Sequence, residues 1–553
     1  MKSFSKFSIT ALTFVIMLMA AWWGSRSAKS DNVAIDETEI HQRPGAQQAG
    51  KPAKAMPGSA GRIKLSVTEA GQPVFCRVNV VGSDGNFYEP ADNPLARWSL
   101  SRLGNRLGKG PFRYYGWFFY CDGNCEILVP EGETRIEVWK GFEYRPVVVT
   151  ESVTANRVAQ VNVPLSRTVD LAAAGWYSGD THIHLDRRND EEDQRALDLI
   201  ASEDIRFGHI LCMNDPRTYR PVMDQQIWHQ LHGLGAKSVR RRGAYQISSG
   251  QEYRCGTFGH ICLIGGNRLV DADGLKTDPN NWPPFGMVAD EVHSIGGLAF
   301  HAHGGYSKEI FIDFAQRATD GVELLQFAEY RGISLEGWYH ILNVGYRFPA
   351  VGASDYPYCR ALGDCRTYVY LTAAPTFENW NQAAAAGRSF FTTGPLLRVT
   401  VDGKRPGETV SLQGEKRELT VRIEMHSFVS PVDEIQIVKE GEIVARKRLR
   451  GTQRSEPVEW TETLTVEDST WVAVRAFSKS PSGRDDSEAH TNPVYVSVGG
   501  RPVRQKASIL WLLDKVDERI AYQRERDFAQ RDQVLTYYQA SRDALNELLS
   551  STE

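Results

Sequence analysis

Two histidines two residues apart, His182 and His184, close the segment Gly175-Trp-Tyr-Ser-Gly-Asp-Thr-His-Ile-His. On a β-strand this spacing turns both imidazoles to one face, where they can reach a single metal ion. Alone the pair is weak, because histidines so spaced also occur as satisfied core pairs or on surfaces. Partners give it weight. Gln251-Glu252-Tyr253 ends a candidate strand, and His260 follows eight residues later in Gly259-His260-Ile-Cys-Leu-Ile-Gly. His303 ends Gly296-Gly-Leu-Ala-Phe-His-Ala-His, and Asp355 ends Val351-Gly-Ala-Ser-Asp. Imidazoles and carboxylates in such a set suit zinc, manganese or iron, with zinc slightly favoured.

Elements that would bring these residues together follow from the apolar pattern. After Trp176 short apolar strands alternate with amphipathic helical stretches at 191–202, 223–234 and 287–295. Strand ends fall near His184, Met213, Glu252, His303, Phe327 and Asp355. Polar residues at strand C-termini are where a β/α barrel assembles its active site, so residues 169–398 are expected to form a distorted β/α barrel. Upstream, Ile63, Leu65 and Val67, then Val74, Cys76, Val78 and Val80, alternate around Gly71-Gln72-Pro73, which predicts a β-sandwich over 61–168. Downstream, Leu419-Thr-Val-Arg-Ile-Glu and Trp471-Val-Ala-Val-Arg-Ala predict a C-terminal β module over 399–500. Residues 501–553 carry Ile509, Leu512, Leu513, Val516 and Ile520, then Val534, Leu535, Tyr538, Leu545 and Leu548, at helical spacing. The fold class is thus an α/β catalytic domain between two β modules, with a helical tail.

Taken together, Gly-Asp-Thr-His-Ile-His at 179–184, Glu252 with Gly259-His260, Gly296-Gly297 through His303, Ser354-Asp355 and Ala386-Gly387-Arg388-Ser-Phe-Phe-Thr-Thr-Gly394-Pro395 resemble the PHP (polymerase and histidinol phosphatase) superfamily of metallohydrolases. Within it the chain is most similar to the CehA/McbA family, and the resemblance covers most of its length. It implies a PHP-like barrel holding divalent metals, next to a prealbumin-like domain of the carboxypeptidase regulatory kind. Carried over position by position, it implies that His182, His184, Glu252 and Asp355 hold one metal. Glu252, His260 and His303 hold a second, with Glu252 bridging. Two superfamily features are missing: Asn214-Asp215 stands where an Asp-His pair is usual, and Tyr356-Pro357 where a late histidine is usual. Both belong to a third metal, so a dinuclear centre is expected.

Two metals would activate a bridging hydroxide as the nucleophile and polarise the scissile bond, which makes a Ser or Cys nucleophile unnecessary. Arg254 could stabilise an anionic transition state or simply pair with Glu252. His301 is a second catalytic candidate, expected to support the ligands from the same strand as His303. Glu323, Asp215 and Tyr356 could add ligands or hold them by hydrogen bonds, and ordinary strand-end polar residues are the competing reading. The leading function is an exported hydrolase of an ester, amide or carbamate bond in a small molecule. The alternatives are a PHP-type phosphoesterase and a non-catalytic β-sandwich binding or surface protein with a degenerate barrel.

Length and composition agree with this plan. At 553 residues the chain needs more than one core, and its 41% hydrophobic and 24% charged residues describe a folded protein. A net charge of −4 without basic clusters argues against a nucleic-acid partner. Lys2 and Lys6 precede an apolar run from Phe7 to Trp23, so residues 1–28 read as a signal peptide or an uncleaved N-terminal anchor, and 29–60 as a linker. The anchor would be the sole membrane contact. Export would let the cysteines pair, Cys121 with Cys125 and Cys359 with Cys365, whereas a four-cysteine zinc site lacks the usual spacing.

Overall fold

A computed structural model of the chain describes residues 51–52, 58–93, 95, 117–213, 231–270, 278, 280–305, 307–326, 329–357, 361–413, 417–449, 456–479 and 485–552. The apolar leader, residues 223–230 of the helix expected at 223–234, Asn214, Asp215 and Cys359 lie outside these residues, and so does the expected Cys359–Cys365 pairing; residues 231–234 are not helical.

The first body consists of two sheets with a shared apolar core. Strand β1 (Ala60–Glu69) alternates as its sequence demands, with Ile63, Leu65 and Val67 at 0–2% exposure. The next strands are β2 (Cys76–Val81), β3 (Phe119–Cys121), β4 (Asn124–Pro130), β5 (Gly132–Trp139), β6 (Val147–Val153) and β7 (Val158–Leu165). β1 lies between β4 and β7 in one sheet, while β3, β2, β5 and β6 pair in the other. A Cys121–Cys125 disulfide joins the two sheets across the Asp122-Gly123-Asn124 turn. Buried ion pairs tie this body to the next: Arg77 donates to Glu203 at 2.8 Å, and Arg167 grips both oxygens of Asp204 at 2.6 and 2.8 Å.

The central body is built on β8 (Trp176–Ile183), α1 (Asp190–Ser202), β9 (Phe207–Met213), β10 (Tyr245–Cys255), β11 (Gly259–Ile264), α2 (Phe285–Ser294), β12 (Leu298–His301), β13 (Gly321–Gln326), α3 (Ser334–Asn343), β14 (Ala350–Gly352), β15 (Arg366–Tyr370), α4 (Phe377–Ala385) and β16 (Ser389–Thr392). Its strands pair in the order β16, β15, β8, β9, β10, β11, β12, β13, β14. This differs from the expected β/α barrel. The sheet is mixed, β10 and β11 form an antiparallel hairpin with no helix between them, and the described residues show no closed ring of strand pairs. The short Gly256–Phe258 connection leaves no room for a crossover helix, which a parallel pair requires. The ends of β8 and of the segment after β14 nevertheless meet in a single bridge, Ile183 with Tyr356.

Beyond it, β17 (Leu396–Val401), β18 (Thr409–Leu412), β19 (Arg417–His426), β20 (Glu434–Lys439), β21 (Glu442–Arg448), β22 (Val458–Val466), β23 (Thr470–Lys479), β24 (Asp485–Thr491) and β25 (Val494–Val498) form the C-terminal β module. The boundary expected at 398/399 falls inside β17. The central ladder continues into the module through β16 and β24, so the two share one mixed sheet. His490 of this module is buried, stacks on Phe391 at 5.6 Å and meets the Tyr339 hydroxyl at 2.7 Å. Burial pushes its pKa down to about 3, so it stays neutral and structural.

Helices α5 (Lys506–Arg524) and α6 (Arg531–Ser550) end the chain. Among the described residues no helix is long and apolar enough to cross a membrane. Ile509, Leu512, Val516, Val534 and Leu545 are all at 0% exposure and belong to the same apolar cluster as Val322 and Trp338 of the central body. Leu512→Ala should therefore lower unfolding free energy by about 2–5 kcal/mol in urea titration. Leu510→Ala, on a residue 48% exposed, should leave it nearly unchanged.

Candidate metal centre

Six side chains proposed from sequence as ligands meet where the central strands end. On β10 and β11 the cross-strand register puts Glu252 opposite Cys262 and Arg254 opposite His260, so all four stand on one face. His182 is the penultimate residue of β8, and His184 follows it. A register shift between Asp180 and Ile183 interrupts the regular pleat there. His303 sits in the turn after β12 and Asp355 in the loop after β14, both with left-handed backbones (φ 53° and 51°). For residues other than glycine that conformation costs roughly 1 kcal/mol or more, and it is often stored at functional sites.

One half of the cluster is formed by His182, His184, Glu252 and Asp355. His182 Nε2 lies 3.1 Å from His184 Nε2, 3.6 Å from Glu252 Oε1 and 3.5 Å from Asp355 Oδ1. His184 Nε2 lies 3.3 Å from Glu252 Oε2 and 3.4 Å from Asp355 Oδ1. Ligands about 2.1 Å from a tetrahedral ion are spaced about 3.4 Å apart, so these separations match the edges of a coordination shell. The other half contains His260, whose Nδ1 is 2.8 Å from Glu252 Oε1, and His303, whose Nε2 is 3.7 Å from that oxygen and 3.2 Å from Asp355 Oδ2. Glu252 spans both halves as expected. Asp355 does so too, presenting Oδ1 to one and Oδ2 to the other, which sequence reasoning did not anticipate.

Hydrogen bonds around the cluster fix which nitrogen each histidine offers. His182 Nδ1 donates to Glu323 Oε2 at 2.8 Å, while the Thr181 hydroxyl holds the other Glu323 oxygen at 2.8 Å. His184 Nδ1 donates to the Leu211 carbonyl at 3.0 Å. The two Nε2 atoms then face each other across 3.1 Å, an arrangement that needs a proton or a metal ion between them. Glu252 Oε1 is buried and receives no hydrogen bond of good geometry among the described residues. The donor set, the spacing and this orphaned oxygen fit the binding of a metal ion.

The electrostatics agree. Burial opposes charge on Glu252, but His260, His182 and Arg254 overcome it and hold the carboxyl well below the usual range. Burial likewise opposes charge on Asp355, and His182, His184 and His303 outweigh it. Burial pushes His260 down to about 4, against the pull of Glu252, leaving a neutral imidazole able to coordinate. Burial disfavours charge on His182 too, yet Cys262, Glu323, Asp355 and Glu252 around it raise its pKa well above the ordinary histidine range, so a proton or a metal is needed there.

Two expected catalytic residues fare differently. Arg254 is at the site but ion-paired, its Nε and Nη2 at 2.8 and 2.7 Å from Glu252 Oε2. His301 does not join the ligands: its Nε2 lies 3.2 Å from Asp313 Oδ2, on the side of the C-terminal helices. The left-handed turn at His303 breaks the strand alternation that would have put the two histidines on one face. Glu323 takes the hydrogen-bonding role proposed for it. Tyr356 contributes backbone, its carbonyl accepting from His184 N–H at 2.7 Å, and Asp215 lies outside the described residues. Two residues went unnoticed in sequence. Cys262 Sγ lies 3.4 Å from His182 Nδ1, and its i+2 spacing from His260 was the available signal. Asp180 Oδ1 accepts from the backbone N–H groups of His182 at 3.2 Å and Ser354 at 3.1 Å, joining the two ligand-bearing segments.

No family model matches the chain, and no curated protein matches it. Among solved structures, PsfC from Pseudomonas syringae PB-5123 is similar over 38% of this chain and 90% of its own, at 14% identity and a TM-score of 0.28. The lesion-specific endonuclease PfuEndoQ from Pyrococcus furiosus is similar over 38% of this chain and 56% of its own, at 13% identity and a TM-score of 0.23. Neither likeness says what this chain does. A cavity of about 350 Å³ lined by Trp176, Arg398 and Arg422 includes none of the six ligands.

Removing the partner of His182 Nδ1 tests whether that hydrogen bond orients the imidazole. Glu323→Gln should weaken metal affinity about 10- to 100-fold, read by chelator competition, with an unchanged circular dichroism spectrum.

Proposed function

We propose that the protein is an exported, dinuclear metal-dependent hydrolase of the CehA/McbA kind within the PHP superfamily, acting on an ester, amide or carbamate bond. The observation that carries this reading is the meeting of four Nε2 or Nδ1 nitrogens and two carboxylates, delivered by separate strands at coordination-shell spacing. His182, His184, Glu252 and Asp355 would hold one ion. His260 and His303, with Glu252 and Asp355 shared, would hold the other. Two such ions supply Lewis-acid activation of water and of the scissile carbonyl.

The protein's own groups do the rest. Glu323 and the Leu211 carbonyl keep Nδ1 of His182 and His184 protonated, so that each Nε2 is available. Arg254 neutralises Glu252 through Oε2 and leaves Oε1 turned into the cluster. Among the described residues, Arg254 is the one guanidinium paired with a ligand carboxylate, and that pairing occupies it. The Cys121–Cys125 disulfide and the lysine-flanked apolar leader support an oxidising compartment outside the cytoplasm.

Purified protein should carry about two transition-metal ions per chain by elemental analysis. With zinc, manganese or iron it should hydrolyse nitrophenyl acetate, carbamate or anilide, and His182→Ala should abolish both metal retention and turnover. A well-folded protein without metal would instead favour a binding role for the β modules. Turnover confined to nitrophenyl phosphate would make it a phosphoesterase.

A further inference from the structure

His303, like Asp355, lies beyond the end of its strand. β12 ends at His301, and His303, Gly304 and Gly305 follow with three successive left-handed backbones (φ 53°, 67° and 59°). Such a turn is not self-supporting for a histidine, so packing from outside must hold it. On one side Ile333 N–H donates to the Gly304 carbonyl at 2.9 Å. On the other, the contacts lead to the C-terminal helices.

His301, buried at 1% exposure, has its ring 5.8 Å from Phe285 and its Nε2 3.2 Å from Asp313 Oδ2, a close polar contact and not a hydrogen bond of good geometry. The other oxygen of Asp313 accepts from the Tyr537 hydroxyl of α6 at 2.8 Å. Position 286 is a glycine, and a Cβ there would collide with that hydroxyl. The same helix is fixed to the same segment by Gln316 Nε2, which donates to the Tyr537 carbonyl at 3.0 Å, and by Ser541, whose hydroxyl donates to the Ile312 carbonyl at 2.9 Å. Tyr538 and Arg519 both bond Glu309.

We infer that Tyr537, Asp313 and His301 form a positioning relay through which the C-terminal helical hairpin sets the His303 turn, and so the affinity of the His260/His303 metal position. This rests on the dinuclear reading above. Tyr537 and Asp313 act through His301 and touch no reacting atom; their effect is on one ion of two. His301 thereby acquires a role other than the catalytic one its place beside His303 suggested.

Cobalt titration of the metal-free full-length protein, followed by visible absorption, separates the two positions if they differ in affinity. Tyr537→Phe and Asp313→Asn should weaken the second ion about tenfold or more and leave the first unchanged. Ser541→Ala removes a different bond of the same interface and should alter neither. Equal weakening by Ser541→Ala, or unchanged binding of both ions in Tyr537→Phe, would overturn the relay while leaving the dinuclear centre standing. A wild-type protein that binds fewer than two ions would remove the centre itself, and the relay with it.

Discussion

Two imidazole nitrogens facing each other at 3.1 Å, with both opposite nitrogens committed as donors, set the terms for the rest of this molecule. Lone pairs so placed repel, and the buried carboxylates of Glu252 and Asp355 add negative charge to the same space. Water cannot relieve this, because His182 and Glu252 are both at 0% exposure. Only a cation or a proton can, and a divalent ion does so for all the donors at once. The raised pKa of His182 is the same demand expressed as a proton affinity, while the histidines around Glu252 and Asp355 hold both carboxyls ionised.

Holding such a cluster together requires a scaffold that outweighs the repulsion. Asp180 supplies part of it, accepting N–H bonds from His182, Ser354 and Gly363 at 3.1–3.2 Å and so tying β8 to the loop that carries Asp355. Burial raises the Asp180 pKa to about 6, against those bonds, which shows how dry this junction is. Glu323 and Thr181 form a second tie. The left-handed backbones of His303 and Asp355 are tolerable for the same reason: each is over-determined by neighbours that cannot relax without breaking their own bonds.

The candidate ligands were legible in sequence because His182, His184, His303 and Asp355 come at or just beyond the ends of apolar strands, and His260 opens one. The antiparallel hairpin of β10 and β11 was not legible as a departure from the barrel, since apolar runs do not encode strand direction. Nor could alternation place His301, because the positive φ at His303 is a tertiary choice that a non-glycine residue does not announce. The sharing of Asp355 between both halves was hidden likewise: which ion a carboxylate oxygen faces depends on a loop conformation rather than on a motif.

The flanking elements looked optional in sequence and are structurally continuous with the site. A mixed sheet with one face lined by ligands must bury its other face, and here that cover is drawn from far along the chain. Val322 and Leu324 of β13 share their apolar cluster with Ile509, Leu512 and Leu545 of the tail and with Trp471 of the β module. Glu323, between Val322 and Leu324, turns the opposite way and holds His182. Strand alternation thus makes one short segment both the floor of the metal cluster and the seat of the C-terminal helices. The seat of the C-terminal helices and the hold on His182 are thus adjacent residues of one short strand.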